Sequence, residues 1–132
     1  MNEKRIKTIA LENGLELSLF DASQPMIGDR WLIKLIARID IPDEQIETFA
    51  AEQNIDRKFL MRLLGEPVAF SQERTRKFVD TDEREAVLQE MIESVETSFK
   101  DYTSHPDFAR KFLRKEYLQA RQRSTWYADK QA

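Results

Sequence analysis

Leu11-Glu12-Asn13-Gly14-Leu15-Glu16-Leu17-Ser18-Leu19 turns once and then alternates. Asn-Gly accepts the positive φ values of a tight hairpin turn. After it, Leu15, Leu17 and Leu19 alternate with Glu16 and Ser18, the period of a strand with one buried face. A strand over residues 5–11 must then run antiparallel to it. Ser23-Gln24-Pro25 through Gly28-Asp29 reads as the next loop. Beyond it Trp31, Ile33, Leu35, Ala37, Ile39 and Ile41 share one face, while Leu32 and Ile36 sit beside Lys34 and Arg38 on the other. That pattern fits a central strand partly covered on both sides, closed by Pro42.

After Pro42 the period changes. Asp43 is placed to cap a short helix that turns Ile46, Phe49 and Ala50 inward, and Asn54 suits the left-handed position that follows it. Asp56 is placed to cap a second short helix bearing Phe59, Leu60, Leu63 and Leu64, which stops at Gly65 before Pro67. Residues 67–79 read as a fourth strand anchored by Val68 and Phe70, with Gln72 to Lys77 exposed along an edge. Further on, Leu88, Met91, Ile92, Val95, Phe99 and Tyr102 recur at helical steps, behind a start capped by Asp80, Thr81 or Asp82. Ser104 and Asp107 bracket Pro106 as a capping pair for a last helix that buries Phe108, Phe112, Leu113 and Tyr117.

The expected fold is therefore α+β: an N-terminal antiparallel meander of about four strands packed by a C-terminal helical hairpin, with two short helices between strands. A single domain over 1–132 is expected, with the meander at 5–41, the short helices at 43–65, the fourth strand at 67–79 and the hairpin at 81–123. The tail 124–132, with Trp126 and Tyr127, is expected to fray.

Composition narrows the chemistry. The 132 residues are 41% hydrophobic and 34% charged with three Gly and four Pro, which places the chain among folded proteins. Without cysteine there is no disulfide, thiolate metal site or cysteine nucleophile. The one histidine, His105 in Ser104-His105-Pro106, reads as part of an interhelix turn. Apolar runs of signal-peptide or membrane-spanning length are missing, so a cytoplasmic address and no membrane are the expectation. Charge is uneven: residues 80–101 hold eight acids and two bases, and residues 102–132 seven bases and three acids.

The most specific local pattern runs from Phe49-Ala50-Ala51-Glu52-Gln53-Asn54-Ile55-Asp56 through Arg57-Lys58-Phe59-Leu60-Met61-Arg62-Leu63-Leu64. Segment 45–64 resembles the helix-turn-helix of bacterial transcription regulators. Ala50 stands at the small position before the turn, Ile55 at the apolar position after it, and Leu60 and Leu63 at the positions that join the helices. Asn54 stands where glycine is commoner. A small residue lets the helices cross closely, and a short rigid turn aims the second helix at the major groove. The resemblance implies that Arg57, Lys58, Met61 and Arg62 face DNA, with arginine and lysine contacting phosphate or guanine. Such a motif needs a third helix behind it, whereas β-structure precedes it here.

The other constellations point more weakly. Arg110, Lys111, Arg114, Lys115, Arg121 and Arg123 lie near Trp126 and Tyr127, a combination that binds nucleic acid but also suits a solvated helix face paired with the acidic helix before it. The carboxylate pairs Asp43/Glu44, Asp80/Asp82 and Glu90/Glu93 read as caps and helix faces. In Gly28-Asp29-Arg30-Trp31, Trp31 is expected at the core's edge and Arg30 beside an acid. No P-loop, dinucleotide glycine pattern or nucleophile elbow is present. The expectation is a small non-catalytic interaction or regulatory protein, with no catalytic residue, cofactor or metal. A protein partner ranks first, nucleic acid is the alternative through segment 45–64, and self-association stays open.

Overall fold

A computed structural model describes the backbone of residues 3–131 and the side chains of residues 3–123. Its elements in order are β1 (Lys4–Ala10), β2 (Glu16–Asp21), β3 (Gln24–Pro25), β4 (Arg30–Asp40), α1 (Asp43–Glu52), α2 (Arg57–Leu64), β5 (Ala69–Asp80), a 3-10 turn (Thr81–Glu83), α3 (Arg84–Thr103) and α4 (Phe108–Gln131). The α+β class, the antiparallel sheet and the two successive C-terminal helices are as expected. The tail expected to fray falls on residues whose side chains lie outside the described set. Two compact units emerge, one of the chain up to Ile39 with Ser71–His105, the other of Asp40–Phe70 with the chain from Pro106 on.

The first unit holds the sheet and α3. β1 pairs with β2, and β2 with β4, both antiparallel. β3 pairs with β4 in the register that β2 already set, Asp21 opposite Leu35 and Gln24 opposite Leu32. β2 and β3 are thus one strand interrupted at Ala22 and Ser23. The Ser23 hydroxyl bridges the gap by accepting from the Lys34 N–H at 3.0 Å. β5 lies on β4's other side, so the sheet is in effect the four-stranded meander that the alternation predicts.

Leu17, Leu19, Ile33, Leu35, Ala37 and Ile39 are buried on one sheet face, where Met91, Ile92 and Val95 of α3 supply the helical side of the core. Each large aliphatic side chain buried this way contributes about 1.5–3 kcal/mol. Lys7 of β1 and Arg76 of β5 pair with Glu96 and Glu90 of α3, and the Arg74 guanidinium lies 5.1 Å from the Phe99 ring. Glu90 and Glu96 of α3 thus pair with the sheet, where the sequence suggested the basic helix after it. Tyr102, expected on the buried face, is 56% exposed. Thr81, expected as a cap, instead ties the 3-10 turn to the β3–β4 hairpin by donating its N–H and hydroxyl to the Asp29 carbonyl at 3.1 and 2.9 Å. Arg30 pairs with Asp80, and Arg84 lies 4.6 Å over the Trp31 ring.

The second unit is helical. α1, α2 and α4 pack on one another around buried Ile46, Phe49, Ala50, Leu60, Phe108, Leu113 and Tyr117. Phe49 meets Tyr117 edge to face at 5.8 Å, and Phe70 meets Phe108 likewise at 5.3 Å, arrangements that add about 0.5–1.5 kcal/mol beyond area. Two expected caps are replaced. Pro42 occupies the N-cap of α1, so Asp43 is the first helical residue and caps nothing. Ser104 closes α3, and among the described residues its buried hydroxyl finds no hydrogen-bond partner.

Candidate nucleic-acid interface

The turn between α1 and α2 is built as its residues suggest. Asn54 takes a left-handed φ of 55°, which asparagine tolerates better than most residues. The Asn54 and Ile55 N–H groups donate to the carbonyls of Ala51 and Ala50 at 3.1 and 3.0 Å, closing the end of α1. Asp56 then caps α2, its carboxylate accepting from the Lys58 N–H at 3.2 Å. Gly65, at φ 83°, ends the helix.

Packing fixes which way α2 faces. Leu60 is fully buried and Ala50 nearly so, so a side chain without bulk on α1 lies in the same core as the leucine of α2. Leu63, Leu64 and Ile55 are half-buried. Phe59, expected inward, is 45% exposed, because an eight-residue helix wedged at Leu60 turns the preceding position outward. α4 packs on both short helices. That third helix comes from the far end of the sequence.

Arg57, Lys58, Met61 and Arg62 line one open depression of about 920 Å³, together with Asp56 and Glu66. All four side chains singled out from the sequence therefore share one surface. They are not equivalent. The Arg57 guanidinium is held by α1, with Asp43 at 3.0 Å and Glu47 at 2.9 Å. Lys58 and Arg62 are exposed, and neither has an ion-pair partner among the described residues. Asp43 and Glu47 were missed as members of this site, although their four-residue spacing puts them on one side of α1.

The other constellations are engaged elsewhere. Asp80 and Glu90 pair with Arg30 and Arg76, and Glu93 accepts from the Gln89 amide at 3.3 Å. Among the described residues no group of three or more His, Asp or Glu side chains is disposed to hold a metal ion, and no helix is long and apolar enough to cross a membrane. Comparison with known protein families, curated proteins and solved structures finds no match.

Proposed function

We propose that this is a small non-catalytic regulatory protein whose helical unit contacts duplex DNA through α2. The observation that carries the reading is the single open surface formed by Lys58, Met61 and Arg62 with Arg57, on a short helix that packs on α1 with Leu60 and Ala50 buried. Lysine and arginine on such a helix neutralise phosphates or read guanine, and Met61 offers an apolar contact to a thymine methyl. Arg57 acts differently. Held by Asp43 and Glu47, it braces the start of α2 against α1 and so keeps the helix aimed.

Fluorescence anisotropy of a labelled random-sequence duplex, at low and near-physiological salt, tests the reading. The expected result is binding that weakens steeply with salt and is lost in Lys58→Glu/Arg62→Glu. No binding by the native chain even at low salt rejects DNA and turns the same surface over to a protein partner.

A further inference from the structure

The basic stretch of α4 is not used by the α2 surface. Between Phe108 and Arg123 the helix carries six basic residues and one acid, Glu116. Arg110 pairs with Glu52 at 3.2 Å, and Arg121 lies over the Tyr117 ring at 5.7 Å. Lys111, Arg114 and Lys115 are exposed and have no ion-pair partner among the described residues. At three- and four-residue steps they form one stripe, about 6 Å long along the helix axis. Phe108, Leu113 and Tyr117, at other positions on the same helix, are buried. The helix is thus amphipathic with a cationic outer side.

Two considerations join this stripe to α2. With Arg57 neutralised by α1, Lys58 and Arg62 are the free cations of the α2 surface, and two phosphate contacts give a log–log salt slope of only about −1.8, where duplex binders commonly make about 6–10 contacts. A further source of positive charge is needed, and α4 is the strongly basic element of the same unit. The Arg110–Glu52 pair also bridges the first turn of α4 to the end of α1, where the turn into α2 begins.

We infer that Lys111, Arg114 and Lys115 form a second phosphate-binding surface that holds the DNA backbone while α2 enters the groove. The inference rests on the DNA-binding reading above and assigns it a second anchor that reads no sequence.

The same anisotropy assay, run as a salt titration on two unrelated duplexes, tests it. Native chain, Lys58→Glu/Arg62→Glu and Lys111→Gln/Arg114→Gln/Lys115→Gln are compared, with far-UV circular dichroism and a thermal melt confirming that each is folded. The α4 variant is expected to bind both duplexes at least about tenfold more weakly near physiological salt. Its slope should shrink by about 2.7, three phosphates at roughly 0.9 each. Unchanged affinity and slope in the α4 variant, with binding lost in the α2 variant, overturns the second anchor and leaves α2 standing. Binding lost in the α4 variant alone overturns the role of α2 and keeps the stripe. A native chain that does not bind at low salt overturns both.

Discussion

Asn13 illustrates how much one side chain does beyond what its neighbours announce. The Asn-Gly pair reads as a tight turn with both residues at positive φ, yet only Gly14 takes one, at 88°. Gly14 N–H donates to the Leu11 carbonyl at 3.0 Å and Leu11 N–H to the Leu15 carbonyl at 2.9 Å, a three-residue loop whose last member is left-handed. Asn13 is thereby free to reach away from the hairpin. Its amide donates to the carbonyls of Thr103 and His105 at 2.7 and 3.0 Å, while its oxygen accepts from the Leu15 N–H at 3.0 Å. Asn13→Asp puts a carboxylate against two carbonyl oxygens, so a loss of about 1–3 kcal/mol in a urea melt is expected. A change under a few tenths would show that the bridge is not used in solution. None of this is legible in sequence, because the partners lie some ninety residues away. Phe78 is a second such case. It sits exposed at φ 59°, a strained choice for an aromatic residue, and Val79 rather than Phe78 is buried.

At the scale of elements, the sequence reads best where a period is long and a boundary residue is specific. The strand at β4, the helix at α3 and the pair α1–α2 emerge with their stops, since Asn54, Asp56 and Gly65 each satisfy one backbone requirement that few other residues meet. β3 was hidden, because two residues, one of them a proline, carry no periodicity. The site was half legible. Its cations stand in sequence at helical steps, but that Arg57 is bound by Asp43 and Glu47 depends on how α1 and α2 cross. That crossing hangs on Leu60. Leu60→Ala opens a cavity where no side-chain surface was exposed, and a loss of about 2–5 kcal/mol is expected, read by thermal or chemical unfolding. Arg57 should lose its brace together with the packing. A loss below about 1 kcal/mol would mean that α2 is not held by this contact.

For the molecule as a whole, the two units could not be drawn from local pattern. The chain passes between them at Ile39–Asp40, Phe70–Ser71 and His105–Pro106, so the helical unit is assembled from a middle segment and the C-terminal helix. Composition and periodicity find α4 but cannot say that it completes the α1–α2 pair. The dependence is testable. A chain ending at His105 lacks Phe108, Leu113 and Tyr117, which form much of the core around Ile46, Phe49 and Leu60. Hydrogen exchange in α1 and α2 should then rise toward that of unfolded peptide, because short helices without tertiary packing are marginal in water. Retained protection there would show that the pair folds without α4.

Ile41 N–H donates to the Val68 carbonyl at 3.1 Å. Everything between these residues, both short helices included, therefore leaves and returns through one doorway a single hydrogen bond wide. A segment with adjoining ends can be lengthened, shortened or exchanged in the course of descent without re-threading the strands on either side. Such an exchange leaves the path of the strands as it is, provided the new segment still covers Phe108, Leu113 and Tyr117 of α4.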